Sequence, residues 1–266
     1  MKAGIITPCY NEENKLQIET YIRFIRTNDN YHLCLVNDGS SDKTSEVLKQ
    51  IKKAAPQRVS VIDLKENRGK ATAVSVGAKY LYEQTDVDYI GYLNADLSTD
   101  FNDFDQLVSM LDKTGKLSMV FGSRGYGEGN RESNFIRKFF SIIIKFLVYF
   151  TLRLPIEDAQ CGAKVFRRNI VPVVFSNPFL CRWLFDVEIF IRLKEYFGRH
   201  YVMEKIKEQP LERWVHADDP KLGMKDALQL PYRLLNIGFN YHLINKFQGP
   251  KQAYELENIA VSYIIT

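Results

Sequence analysis

The strongest constraint in this sequence is an alternation. Through the first half, short apolar runs with β-branched content, at 4–7, 32–36, 59–64, 89–93 and 118–122, take turns with helical patterns at 13–26, 42–54, 70–84 and 104–112. Each apolar run stops at polar or glycine-bearing residues. Strands that alternate with helices predict βαβ units, and those predict a mostly parallel central sheet with helices on both faces. The expected fold class is α/β, and 266 residues suffice for such a domain with a sizeable core. In sheets of this kind ligands bind beyond the carboxyl ends of the strands. The polar clusters fall at those ends: Tyr10-Asn11-Glu12, and residues 37–42, 66–70 and 94–98.

After residue 122 the character changes. A glycine-rich polar loop at 122–131 leads into a strongly apolar and aromatic stretch at 134–154. Short elements follow, then a helix near 185–196, a last helical stretch at 225–247 containing Pro231, and a short apolar tail at 259–266. The tail reads equally as a strand, a dimer contact or a loose end. No repeat and no interdomain linker is visible. The net charge of +4, from 36 basic and 32 acidic residues, is too mild to imply nucleic acid. The four cysteines form no C-x-x-C pair and lie in apolar segments, which argues against a zinc site or a disulfide framework and for a reducing compartment. The first apolar run is too short for a signal peptide and reads as a strand. No apolar run reaches the roughly 18 residues of a membrane-spanning helix. A cytoplasmic protein, soluble or peripheral on a membrane, is expected.

Three clusters can carry chemistry. Asp38 follows a buried strand and opens a turn with Gly39. A carboxylate there can accept a nucleobase N–H or a ribose hydroxyl, whereas Asp42 reads as a cap for the helix that follows. Asn94-Ala95-Asp96-Leu97-Ser98 follows the fourth strand. A departing nucleoside diphosphate needs a divalent cation, and hard cations want carboxylate oxygens, so Asp96 is the natural ligand. Asn94 offers a carbonyl oxygen to ribose or water. The plainer reading of the segment is a helix start, with Ser98 or Thr99 before an acidic first turn. Glu66-Asn67-Arg68-Gly69-Lys70 opens a helix whose backbone N–H groups, with Arg68 and Lys70, can hold phosphate oxygens. It is not a P-loop, and Gly125-Tyr126-Gly127-Glu128-Gly129 is not a dinucleotide fingerprint. Both absences argue against an ordinary NTPase or dehydrogenase.

An ordered set of segments resembles the family 2 inverting glycosyltransferases of GT-A fold, and more narrowly the dolichyl- or polyprenyl-phosphate glucosyltransferases and mannosyltransferases. The set comprises Pro8-Cys9-Tyr10-Asn11-Glu12, residues 36–42, Asn67-Arg68-Gly69-Lys70, residues 94–98, Gly122-Ser123-Arg124, residues 158–164 and residues 182–188. The resemblance implies a GT-A domain over 1–225, with 226–266 as a helical extension and tail of the same domain. It implies a nucleotide-diphospho-sugar donor bound by Pro8, Tyr10, Glu12, Asp38, Asn67, Lys70, Asn94 and Asp96, with Mg2+ or Mn2+ on Asp96 and Ser98. Arg124 and Gln160 resemble residues near the diphosphate and sugar, and Asp186 the acidic residue close to the acceptor. Arg131, Arg137, Lys164 and Trp183 are the acceptor-side candidates. One departure stands out: the first aspartate of the family's D-x-D motif is Asn94 here. Trp183, Phe185 and Ile189 have the spacing of a helix core, and Asp186 reads equally as a cap of that helix.

Projected on a helical wheel, 134–154 places Arg137, Lys138, Ser141, Lys145 and Tyr149 on one face. Phe135, Ile136, Phe139, Phe140, Ile143, Phe146, Leu147 and Phe150 share the other, while Val148 and Leu152 stray to the polar side. Such a helix lies in a lipid interface or packs on the sheet. If the acceptor is a polyprenyl phosphate, it is already anionic near neutral pH and needs only positive groups, such as Arg131, Arg137 or Lys164. If it is a sugar hydroxyl, a base is required, and Asp186 is the candidate. A glycan-extending transferase and a non-catalytic sugar-nucleotide-binding protein remain the alternatives. The likeness at 158–164 and 182–188 favours UDP-glucose as donor.

Overall fold

The computed structural model describes residues 1–124, 135–212, 224–241 and 263–265, with the backbone alone described at 135–143, 224–228 and 263–264. The first four strands are β1 (Ala3–Cys9), β2 (Tyr31–Asn37), β3 (Val59–Leu64) and β4 (Tyr89–Tyr92). They pair in parallel, β1 against both β2 and β4, and β2 against β3. Between them run α1 (Ile18–Thr27), α2 (Thr44–Ala54) and α3 (Lys70–Gln84). The chain continues through α4 (Phe101–Lys113), β5 (Met119–Ser123), α5 (Phe135–Leu152), β6 (Lys164–Arg167), α6 (Val171–Phe175), α7 (Phe185–Phe197), α8 (Val202–Lys205), β7 (Ile206–Pro210), α9 (Met224–Phe239) and β8 (Tyr263–Ile265). The strands form one eight-stranded sheet in the order β7-β5-β6-β4-β1-β2-β3-β8.

Each face of the sheet carries its own core. Successive side chains of a strand point to opposite faces, so in β1 Ile5 joins one cluster, with Tyr21, Leu48 and Phe104, while Ile6 joins the other, with Val74, Phe185 and Phe190. Two-sided burial explains why the parallel strands read as nearly continuous apolar runs. The order of strands turns at β1: β2 and β3 lie on one side of it and β4 on the other. The carboxyl ends of β1 and β4 thus flank the crevice in which open α/β sheets bind ligands.

Several elements differ from expectation for identifiable reasons. The first helix begins at Ile18, not at residue 13. The N–H groups of Glu12 and Glu13 donate to the Thr44 hydroxyl (2.8 Å) and to Asp42 (3.1 Å), and so fasten this loop to the start of α2 instead of opening a helix. Asp42 also accepts the N–H of Thr44 at 3.0 Å, but the residue at the cap of α2 is Lys43, so Asp42 braces the turn before the helix rather than capping it. The cap of α4 is Asp100, which accepts from Asp103 N at 2.9 Å, and not Ser98 or Thr99. The tail contributes β8, antiparallel to β3.

The long aromatic helix requires a larger correction. In α5 the side turned to the protein is the one that buries Val148 and Leu152, the two residues that strayed from the wheel's apolar face. Phe146, Tyr149 and Phe150 point outward, each more than half exposed, beside exposed Lys145. The helix packs on α9 and α7; in α9 Leu234 and Ile237 are buried while Tyr232, Leu235 and Phe239 stand exposed. Packing against two helices claims a narrow seam, and over residues 144–152 the aromatic side chains away from it stay exposed. Among the described residues no helix is long and apolar enough to cross a membrane. The glycine-rich loop at 125–131 and Arg131 lie outside the described residues, as does the side chain of Arg137.

Candidate nucleotide-sugar site

Four loops converge beyond the carboxyl ends of β1 to β4, and hydrogen bonds lock them together. Asn11 Oδ1 accepts the N–H of Ser41 at 2.9 Å, and the N–H of Asn11 donates to the Ser40 hydroxyl at 3.0 Å, which joins the loops after β1 and β2. Asp38 joins the loops after β2 and β3: its two oxygens accept the N–H groups of Arg68 and Gly69, each at 2.8 Å. Burial raises the Asp38 pKa, and the two backbone donors pull it the other way. Gly39 makes this junction feasible. Its φ of +63° is a left-handed conformation, and a Cβ there would lie 2.5 Å from Asn67 N. Tyr10 is exposed at the rim, Pro8 and Asn67 are half-buried, and Glu12 is fully buried.

At the tip of β4 the chain turns sharply. Asn94 O accepts Leu97 N at 3.2 Å, and Leu97 holds a φ of +49°, a region that residues with a Cβ seldom occupy. The turn presents Asn94, Asp96 and Ser98, all half-buried, toward the crevice. Asp96 Oδ1 accepts the N–H of Ser98 at 3.0 Å, and its Oδ2 meets no donor among the described residues. No group of three or more His, Cys, Asp or Glu able to hold a metal occurs among the described residues. The donor set at this tip is oxygen only and centred on one carboxylate. It fits a hard cation such as Mg2+ or Mn2+ that takes its remaining ligands from phosphate and water.

Behind the tip lies a buried polar cluster. Lys164, fully buried on β6, donates from Nζ to Asp186 Oδ1 at 2.6 Å and to Cys161 O at 2.7 Å. The Tyr92 hydroxyl donates to the same Asp186 oxygen. Burial first, and then the Asp186 charge, holds the Tyr92 phenol well above the ordinary tyrosine value. Lys70 Nζ donates to Asn94 Oδ1 at 2.8 Å and sits 5.6 Å from the ring centroids of both Tyr92 and Phe185. Burial lowers the Lys70 pKa, with Asp186 working against the shift.

This arrangement corrects two expectations. Lys164 does not face an acceptor; a fully buried ammonium paired with a carboxylate is a structural cation. Asp186 is 3% exposed and already takes two donors through one oxygen, so it is not presented as a general base. Arg124 forms a fork with Asp158, from Nε at 2.6 Å and Nη2 at 2.7 Å, and its N–H adds a third bond at 3.1 Å. Burial opposes the Asp158 charge, but the Arg124 guanidinium outweighs it and holds the pKa below the usual carboxylate value. Gln160 and Trp183 are half-buried nearby in sequence. Two residues of the site were missed. Tyr92 is one; its position just before the strand-tip motif was the available signal. Arg182 is the other: its side chain lies across Gly69, where an added Cβ would fall 2.8 Å from Arg182 Cδ, and its charge acts on Asp38.

Residues 4–175 match the family profile of Glycosyl transferase family 2. Among curated proteins, a dolichyl-phosphate beta-glucosyltransferase of Trichomonas vaginalis is 28% identical over 256 residues, covering 92% of this chain and 75% of its own. One of Drosophila melanogaster is 31% identical over 242 residues, covering 84% and 69%. Among solved structures, glucosyl-3-phosphoglycerate synthase from Mycobacterium tuberculosis, in complex with Mn2+, UDP and phosphoglyceric acid, superposes with a TM-score of 0.64 at 17% identity, covering 89% of this chain and 78% of that one. At such identity the likeness concerns the fold, which is the GT-A-type α/β architecture expected from the sequence.

Proposed function

The chain belongs to glycosyl transferase family 2 and is a glycosyltransferase; we propose that it moves glucose from UDP-glucose to a polyprenyl phosphate, with inversion at the anomeric carbon. The observation that carries this reading is the likeness, over 84–92% of the chain, to proteins named dolichyl-phosphate beta-glucosyltransferases. The site chemistry agrees with it. Asp96 would hold a divalent cation, Mg2+ or Mn2+, which when bound takes up negative charge on the diphosphate as the nucleotide leaves. Asp38 fixes the loop that opens α3 by accepting the N–H groups of Arg68 and Gly69, and Ala71 N–H is held by Arg182 O, so the phosphate contact expected from this loop falls to the Lys70 side chain. A phosphate acceptor arrives ionised, so attack on the anomeric carbon requires no proton acceptor. That suits a site whose Asp186 is committed to Lys164 and Tyr92.

The test is transfer from labelled UDP-glucose or GDP-mannose to polyprenyl phosphate with Mg2+ or Mn2+. A glucolipid formed from UDP-glucose is the expected product. Labelled soluble saccharide, with no lipid product from either donor, would reject the reading in favour of a glycan-extending enzyme.

A lipid acceptor places the enzyme at a membrane surface. The occupant we assign to the outward aromatic faces of α5 and α9 is the lipid interface, where aromatic side chains sit at headgroup level beside basic ones such as Lys145 and Arg153. Sedimentation with anionic phospholipid vesicles checks this. The double change Phe146→Ser and Phe150→Ser should weaken vesicle binding by about tenfold or more, at roughly 0.8 kcal/mol for each buried methylene equivalent removed. Equal vesicle binding by both proteins would remove α5 from the membrane contact.

A further inference from the structure

We propose that Asn94, standing where a carboxylate would be expected, leaves the charge of Lys70 available to the donor's diphosphate, so that nucleotide binding depends less on a divalent cation than it would with aspartate there. This rests on reading the β4 tip as a nucleotide-sugar site. The argument is one of partners. Two ammonium groups lie behind the tip, Lys70 and Lys164. The one carboxylate of that cluster, Asp186, is taken by Lys164 at 2.6 Å. Lys70 makes no ion pair among the described residues; what it meets at 2.8 Å is the neutral amide oxygen of Asn94, with the faces of Tyr92 and Phe185 beside it. The amide therefore fixes the ammonium in place without an ion pair, while the charges of Asp186 and Asp96 act on it from beyond contact distance.

The geometry also explains why the Asn94 side chain holds its position. Gly162 lies against it so closely that a Cβ there would fall 2.5 Å from Asn94 Cγ. An aspartate at 94 would fit the same space, because it is the isostere. It would form an ion pair with Lys70 and add a second carboxylate two residues from Asp96. Both changes raise the negative charge that a diphosphate must meet, and both shift the work of attraction onto a metal ion.

Isothermal titration with UDP and with GDP, in EDTA and in Mn2+, tests this on the full chain, on Asn94→Asp and on Lys70→Met. The unaltered protein is expected to bind one of the two nucleotides in EDTA. Lys70→Met should weaken that metal-free binding by about tenfold or more, the scale of a lost charge-assisted hydrogen bond. Asn94→Asp should weaken it similarly and recover in Mn2+, so that the ratio of the two Kd values rises about tenfold. Melting temperatures identify a variant that fails to fold, and Asn94→Asp, which changes no volume, carries the test alone if Lys70→Met does so. A Kd ratio for Asn94→Asp equal to that of the unaltered protein overturns the inference, as does binding by the unaltered protein only in Mn2+. Absence of UDP and GDP binding under every condition overturns the nucleotide-sugar reading itself, and the inference with it.

Discussion

Asp96→Ala should abolish transfer, with kcat lower by about a thousandfold or more, while the melting temperature stays within a few degrees. The two halves of that expectation have separate causes. Asp96 contributes little to the fold: it is half-buried, and its one hydrogen bond to a described residue is the N–H of Ser98 at 3.0 Å. To the proposed chemistry it would contribute the anionic oxygen at the strand tip that meets no other donor among the described residues. Steady-state kinetics and thermal denaturation measured together check both. A variant that keeps a tenth of the activity would move the cation-binding role to another residue.

Asp186→Ala should act in the opposite manner, through stability. The change leaves the Lys164 ammonium buried without its counter-charge and deprives the Tyr92 hydroxyl of its acceptor. Breaking such a buried pair costs about 3–5 kcal/mol, which in a domain of this size lowers the melting temperature by roughly 10 °C. Activity falls with it, because the same cluster supports the end of β4. The double change Lys164→Met with Asp186→Leu should recover most of the lost stability, since apolar replacements of a buried pair are often neutral. A catalytic base would behave differently: Asp186→Ala would lose activity at an unchanged melting temperature, and the pH profile would lose its acidic limb. That second outcome would contradict the positioning role.

The parallel strands and their order of appearance were legible because burial on both faces writes them as apolar runs that end in polar clusters. The placement of Asp96 in the turn just beyond β4 was legible for the same reason. What escaped were matters of orientation and partnership. The wheel sorted α5 by hydropathy, but a helix so rich in aromatic residues has more apolar surface than its neighbours cover. Which side faces inward was then decided by packing against α7 and α9, at Val148 and Leu152. Lys164 and Asp186 each looked like a residue open to substrate. They are 22 positions apart, and their pairing depends on β6 lying beside β4, with α7 packed behind. Arg182 escaped because its contact with Gly69 joins loops far apart in sequence. The helix expected from residue 13 failed because Glu12 and Glu13 donate their N–H groups across to the next loop, a choice no local pattern records.

The most direct measurement is a competition between acceptors that differ in one group. Polyprenyl phosphate and the corresponding polyprenol, presented in equal amounts in the same vesicles with UDP-glucose and Mn2+, offer an ionised oxygen and a neutral hydroxyl on one lipid chain. A site that supplies no proton acceptor should glucosylate the phosphate and leave the alcohol untouched. Glucose appearing on the alcohol would mean that some side chain removes its proton, and would contradict both the structural roles of Asp186 and Lys164 and the choice of an ionised acceptor.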